Sequence, residues 1–187
     1  KITLESFASQ KGITKEELET RLEASRKLLL NRRDTRTKPL LDDKILLSWN
    51  ALLVTACCKI YASLGNDNYK KMAVRCMDFI WQHLQKDGIF YHTYKNGAAR
   101  HPAFLDDYAY LIQALIHLQE ITADAAYLHK ARNLTQFVID HYSEPETGFF
   151  FFTHANQKDV IVRKKEVYDG ATPSGNAIMA LNLFYLA

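Results

Sequence analysis

SWNALLVTACCKIYASLGNDNYKKMAVRCMDFIWQHLQKDGIFYH, residues 48–92, is followed by a second copy at residues 106–152, an offset of 58 positions (106 minus 48). A third copy begins at 174–177, where Ser-Gly-Asn-Ala resembles Ser-Trp-Asn-Ala at 48–51. A repeat of about 60 residues needs neighbouring copies to bury its faces, so the sequence predicts an array of helical hairpins. The matching positions in the first two copies are Ala51 and Ala109, Leu53 and Leu111, Tyr69 and Tyr127, Ala73 and Ala131, Phe79 and Phe137, and His83 and His141.

Each copy combines an apolar helix with an amphipathic one. Residues 44–64 are apolar on nearly every side, which is typical of a helix enclosed by other elements. Residues 69–85 carry an apolar stripe opposite a charged face, which indicates a helix exposed to solvent on one side. The second copy repeats this order at 105–121 and 125–142. We therefore predict alternating inner and outer helices.

A short β arm follows each helix pair, at residues 89–94 and at the aromatic stretch 149–152. Inner helix, outer helix and β arm in repetition predict the all-α class and part of an α/α toroid, in which parallel inner helices are wrapped by antiparallel outer helices. An open solenoid of hairpins fits less well, because it rarely carries aromatic arms between its pairs. We place hairpin one at about 42–95, hairpin two at about 104–155, and the start of the third at about 174.

The segment before the first hairpin is predicted to hold one further helix. Thr14 and Glu17 form a capping box that opens a helix to about Asn31, and Pro39 breaks the chain after it. Because the chain lacks an initiator Met and stops within the third copy at Ala187, we expect residues 1–187 to be the N-terminal part of a longer toroid.

The composition of the chain limits its domain count, its location and its partners. With 48% hydrophobic residues and a net charge of +3, the 187 residues read as one globular unit, and the basic side chains of the first forty are interspersed with glutamates. Cys57, Cys58 and Cys76 have neither redox-pair nor zinc-site spacing, which favours reduced core thiols and a cytoplasmic location. No apolar run approaches the ~20 residues of a membrane span, so we expect no membrane partner. Because the basic side chains are interspersed with glutamates, we expect them to form a solvated face and predict no nucleic-acid partner.

Polar residues cluster where each inner helix begins, and the repeat predicts that these clusters converge on one rim of the ring. A weaker cluster consists of His92 and His154 on the two arms. The predicted catalytic residues are Asp42, Asp43, Asp106 and Asp107, and the predicted substrate-binding residues are Arg36, Trp49, Asn50, Tyr108, Asp169, Ser174 and Asn176.

The acid pairs support two interpretations. Two carboxyl groups across a cleft can act as proton donor and base on a glycoside, with pKa values split by crowding or burial. An Asp at a helix start is equally typical of a cap that accepts from free backbone amides. We expect one Asp of each pair to cap a helix and the other to remain free.

The other candidates also have structural alternatives. Trp49 is either a sugar-stacking platform or a core aromatic residue. Asn50 and Asn176 recur at one repeat position and are either ties between helices or hydrogen-bond donors to substrate. Gly170, Pro173 and Gly175 form a tight loop that could present amides to an anion. A metal interpretation rests on the Asp pairs alone, so we predict no metal and no cofactor.

Three motifs in order resemble one protein family. They are Arg-x-Lys-Pro-x-x-Asp-Asp-Lys-x-Leu-x-Ser-Trp-Asn at 36–50, Ala-Phe-Leu-Asp-Asp-Tyr-Ala at 103–109, and Asp-Gly-Ala-x-Pro-Ser-Gly-Asn at 169–176. These runs resemble the thioredoxin-domain-containing family related to the spermatogenesis-associated thioredoxin-fold protein. The resemblance implies a thioredoxin-like domain, absent from this chain, joined to a six-hairpin glycosidase-like toroid. No Cys-x-x-Cys is present, so no redox activity is assigned to these residues.

Two functions are consistent with these features. The first is a carbohydrate-active toroid that binds a sugar at the rim, with acid and base chemistry of the glycoside hydrolase or epimerase type in the intact protein. The second is a non-catalytic ring that binds a protein or peptide and works with its thioredoxin-like partner domain. In either case we expect the fragment alone to be inactive, to need the rest of the toroid, and to self-associate through exposed apolar flanks.

Overall fold

The structure, a computed structural model, describes residues 2–157 and 161–187. The chain divides into two compact units, Lys1–Asp42 and Asp43–Ala187, and each is described by itself.

The first unit contains helices α1 (Leu4–Gln10) and α2 (Lys15–Asp34). The hydroxyl of Thr14 accepts a hydrogen bond from the Glu17 amide at 3.1 Å, which confirms the predicted start of α2. The helix continues three residues beyond the predicted end at Asn31.

The second unit contains the repeats. Its helices are α3 (Leu47–Leu64), α4 (Asp67–His83), α5 (Leu105–Thr122), α6 (Ala125–Tyr142) and α7 (Gly175–Leu186). Its strands are β1 (Ile45–Leu46), β2 (Gln85–Lys86), β3 (Ile89–Lys95) and β4 (Ala98–Pro102). The helix order matches the predicted alternation of inner and outer helices, and the predicted bounds of α6 are those observed.

The inner helices α3, α5 and α7 lie side by side, with α5 in the middle. The outer helices α4 and α6 pack on α3 and α5, respectively. Leu111, Ile112 and Leu115 of α5 have no exposed surface, because this helix is enclosed by its neighbours. Helix α3 has the length and apolar composition of a membrane span, but it packs against α4 and α5 as a core helix does.

The first arm is a small antiparallel sheet. Strand β3 pairs with β1, β2 and β4. The β3–β4 turn consists of Asn96 and Gly97, with φ of 52° and 76°. Positive φ at both central residues is the requirement of a type I′ turn, which Asn-Gly meets at low cost.

The second arm does not form the predicted strand at 149–152. Its only ladder contact in the described residues is an isolated bridge between Ser143 and Phe150. A side chain replaces the missing partner strand, because Asn176 accepts from the Phe150 amide at 2.8 Å and donates to the Phe150 carbonyl at 3.0 Å. The same amide group donates to the Glu166 carbonyl at 2.9 Å.

Replacing Asn176 with Ala should destabilise the second unit. The buried Phe150 amide would lose its acceptor, which costs about 1–3 kcal/mol in free energy of unfolding. Urea unfolding measures this loss. Asn133→Ala on the exposed face of α6 is the control, with an expected change within about 0.5 kcal/mol; equal effects of the two variants would contradict the role of Asn176.

Candidate functional site

The first turn of α5 carries an acid pair that contacts both neighbouring inner helices. Asp107 is 1% exposed, and its Oδ1 accepts from the Ser48 amide of α3 at 3.0 Å. Its Oδ2 accepts from the Phe104 amide, just before α5, at 2.9 Å. Asp107 therefore caps its own helix and the preceding inner helix at once.

Asp106 faces the other neighbour. Its Oδ1 accepts from the Gly175 amide at the start of α7 at 2.9 Å, and no hydrogen bond reaches its Oδ2 within residues 2–157 and 161–187. Burial raises the pKa of Asp106 to about 6, and the charge of Asp107 adds to this effect, whereas the bond from Gly175 opposes it. Asp106 thus combines a capping oxygen with an open one.

Gly175 allows this close approach. A Cβ at this position would clash with Oδ1 of Asp106 and lie 3.1 Å from the Asp106 backbone nitrogen. The predicted presentation of a loop amide to an anion is therefore made to the protein's own carboxylate.

His92 on β3 completes the cluster. Its Nδ1 lies 2.8 Å from Oδ2 and 3.1 Å from Oδ1 of Asp107, and its side chain is 27% exposed. The bond to Asp107 raises the pKa of His92, with a smaller contribution from Asp106, whereas burial and Lys44 lower it. We call the cluster of Asp106, Asp107 and His92 the acid–histidine rim. Its two acids bind the backbone amides at which α3, α5 and α7 begin.

The first predicted cluster contains Asp42 and Asp43, which belong to different units. Asp43 forms an ion pair with Lys95 at 2.5 Å, and this contact lowers its pKa. It does not cap α3, which begins four residues later at Leu47. Asp42 and Arg36 are exposed and belong to the first unit, where Arg36 lines a surface pocket with Arg33 and Lys38.

Two predicted binding residues lie in the first turn of α3. The side chain of Trp49 is 67% exposed, so it is not the core aromatic residue of the structural interpretation. Asn50 is half-buried and donates to the Leu46 carbonyl of its own helix at 2.8 Å, with Cys76 Sγ 3.7 Å from its Oδ1. Of these two residues, only Trp49 has a largely exposed side chain that a ligand could contact.

The remaining predicted residues serve the fold in this structure. Instead of the predicted substrate contact, Tyr108 has a core position at 1% exposed, where its hydroxyl accepts from the Phe90 amide and burial raises its pKa to about 12. Ser174 caps α7 by accepting from the Ala177 amide, and Asp169 accepts from the Ser174 amide. Asn176 holds the second arm, as described above.

The two arm histidines have different surroundings. His154 stacks on His141 with ring centroids 4.7 Å apart, and both rings contact Phe137. Burial lowers the pKa of His154. Phe79, His83 and Tyr94 form the equivalent ring cluster in the first hairpin, so this arrangement is part of the repeated core.

Sequence reasoning gave His92 only a minor place. The signal that it missed is the alternation along β3, which turns His92 away from Tyr91, but the contact with Asp107 spans 15 residues and needs the fold. Within the described residues, no group of three His, Cys, Asp or Glu side chains has the geometry of a metal site.

No family model matches the chain. The chain is 33% identical to an uncharacterised protein of Caenorhabditis elegans over 99% of its own length and 26% of that protein. It is 30% identical to spermatogenesis-associated protein 20 of Homo sapiens over 98% of its length and 25% of that protein. The chain therefore spans about a quarter of the curated relatives it matches, and the human relative carries the name to which the three motifs pointed.

Solved structures share the fold at low identity. A family 105 glycoside hydrolase from C. acetobutylicum matches 88% of this chain and 52% of its own, with a TM-score of 0.60 and 15% identity. Cellobiose 2-epimerase from Bacillus thermoamylovorans matches 65% of this chain and 35% of its own, with a TM-score of 0.58 and 12% identity. D-mannose isomerase matches 76% of this chain and 35% of its own, with a TM-score of 0.61 and 15% identity. The prediction of an all-α partial toroid of helical hairpins is confirmed.

Gly175→Ala should weaken the contact between α5 and α7. The added methyl group has no room beside Asp106 and the side chain of Leu105, 3.0 Å away, and such overpacking costs about 1–3 kcal/mol. The higher helix propensity of Ala offsets less than about 1 kcal/mol of this. Gly170→Ala, where a Cβ meets nothing within 4 Å, is the matched control in urea unfolding; a similar stability of the two variants would contradict the close approach.

The raised pKa of Asp106 predicts a pH-dependent stability difference from Asp106→Asn. The folded state holds the Asp106 proton up to a pH of about 6, so its stabilising effect is present below 3.8, the ordinary pKa of an Asp side chain, and is lost as the pH rises through about 6. Between pH 4 and 7, the free energy of unfolding of the wild type should fall by on the order of 2–3 kcal/mol relative to that of the variant. Parallel urea-unfolding stabilities across this range would show that the Asp106 pKa is not raised.

Proposed function

We propose that the acid–histidine rim is part of a carbohydrate-binding site and that the intact protein performs acid–base chemistry on a sugar. The observation that carries this proposal is Asp106, a carboxyl group with a pKa of about 6 and an open oxygen at the start of an inner helix. A carboxyl group with this pKa is partly protonated near neutral pH, as a general acid must be.

The fold and the surface of α3 support the same proposal. The structural neighbours include a glycoside hydrolase and a sugar epimerase built on this fold. Trp49 is exposed one residue after Ser48, whose amide binds Asp107, so an aromatic surface lies at the same end of the inner helices. Aromatic faces stack on the apolar face of a sugar ring.

Of the predicted catalytic acids, Asp106 is the one we assign as proton donor. Asp107 has both oxygens occupied by backbone amides and His92, and Asp43 is paired with Lys95. Asp107 therefore has no open oxygen, and the pairing with Lys95 lowers the pKa of Asp43, which is unfavourable for proton donation.

The alternative is a non-catalytic ring that binds a protein or peptide beside a thioredoxin-like domain. One observation favours it: Asp107 and Asp169 are satisfied by backbone amides, as purely structural caps would be. If this alternative holds, Asp106→Asn should not impair the binding of the protein or peptide partner.

The test uses the intact protein, because the chain spans about a quarter of its relatives. Cellobiose, mannose and mannose oligosaccharides are screened for binding by calorimetry and for conversion by NMR. We expect Asp106→Asn to keep binding but to lower turnover by about 100-fold or more, as loss of a general acid does. Asp78→Asn, on the exposed face of α4, is the control and should keep wild-type turnover. If no sugar of the panel is bound or converted, the carbohydrate function is rejected in favour of the non-catalytic ring that binds a protein or peptide.

A further inference from the structure

The contacts of Asp107 determine the hydrogen positions on His92. Asp107 accepts from two backbone amides, one on each oxygen, and backbone amides can only donate. Both oxygens of Asp107 therefore already serve as hydrogen-bond acceptors. The hydrogen between Asp107 and His92 is therefore carried by Nδ1 of the histidine.

This assignment leaves the second ring nitrogen available. When Nδ1 carries the hydrogen, neutral imidazole has its lone pair on Nε2. No hydrogen bond reaches Nε2 in the described ranges 2–157 and 161–187. The side chain of His92 is 27% exposed, whereas Asp107, which contacts Nδ1, is 1% exposed.

The surroundings favour a proton-accepting role for this nitrogen. Phe104 packs edge-on against the ring with centroids 5.0 Å apart, which fixes the ring plane together with Asp107. The charged groups that act on His92 are Asp107 and Asp106, which favour the imidazolium, and Lys44, which opposes it. His92 and Asp106 are close enough to shift each other's pKa.

We propose that His92 Nε2 is the proton acceptor of the acid–histidine rim and that Asp107 is the positioning residue that fixes its tautomer. The inference rests on the proposed function, since the proton comes from a hydroxyl group of the bound sugar. The O–H bond of that hydroxyl breaks, its electron pair stays on oxygen, and an Nε2–H bond forms. Protonated Asp106 gives its proton to a second sugar oxygen, so the total charge of sugar and rim is unchanged. Asp107 stabilises the resulting imidazolium.

The wild-type protein tests the tautomer directly. Nitrogen-15 NMR of histidine-labelled protein, with His92 assigned by the signal lost in His92→Gln, should show Nδ1 protonated and Nε2 unprotonated above the titration midpoint. Free histidine prefers the opposite tautomer, so an Nε2–H signal for His92 would overturn the inference.

The pH profile separates positioning from packing. Asp107→Asn should lower the titration midpoint of His92, because the hydrogen bond to Asp107 is the main cause of its raised pKa. Glu120→Gln removes the carboxylate from a similar pair with His117, 2.6 Å apart on the surface of α5, and should leave the His92 midpoint unchanged. A midpoint insensitive to Asp107→Asn in a folded variant would contradict the role of Asp107.

Sugar binding distinguishes failure of this inference from failure of the proposed function. In the intact protein, a sugar that binds should slow the reaction of His92 with diethyl pyrocarbonate, which modifies unprotonated imidazole nitrogens, and should not slow that of exposed His129. A sugar that binds without protecting His92 overturns the inference and leaves the carbohydrate function intact. If no sugar binds, the proposed function fails, and the role of His92 fails with it.

Discussion

The second unit depends on the shared capping of helices by one acid pair. An isolated helix leaves its first amides without acceptors, and a buried helix start must find them elsewhere. The residues before α3 and α5 are Leu46 and Phe104, which provide no side-chain acceptor. Asp107 supplies acceptors for both helix starts, and Asp106 adds an acceptor at the start of α7, which Ser174 also caps. Side-chain hydrogen bonds thus join the inner helices to each other at their N-terminal ends, where backbone amides lack partners within the helix.

The outer helices do not share this dependence. Asn66 caps α4 and Asp124 caps α6, in each case through a side chain adjacent in sequence. A local cap is sufficient at an exposed helix end because water can satisfy the remaining amides. Neighbouring hairpins are therefore coupled through the inner helices, which agrees with the nearest-neighbour stabilisation expected of a repeat protein.

The repeat made the fold predictable, whereas the site was predictable only in part. Helical periodicity gave α6 its observed bounds, and the Asn96-Gly97 pair carried a hairpin signal that the sequence interpretation did not use. The acid pair was identified, but its partners Ser48 and Gly175 lie 59 and 69 residues away, beyond any local pattern. The aromatic strand at 149–152 was wrong because β propensity cannot anticipate that an Asn side chain will take the place of a partner strand.

Structural and chemical roles are divided within the acid pair by geometry. Both carboxyl groups accept from helix-start amides, yet Asp107 has donors on both oxygens whereas Asp106 has one. The two oxygens of Asp107 accept from two backbone amides and contact Nδ1 of His92. One donor does not compensate the burial of Asp106, and its pKa rises to about 6. Burial is the main cause of this rise and Asp107 adds to it, so the residue that joins the inner helices also contributes to the raised pKa of Asp106. A substitution of Asp107 should therefore alter the chemistry of the rim even where the helices remain in place.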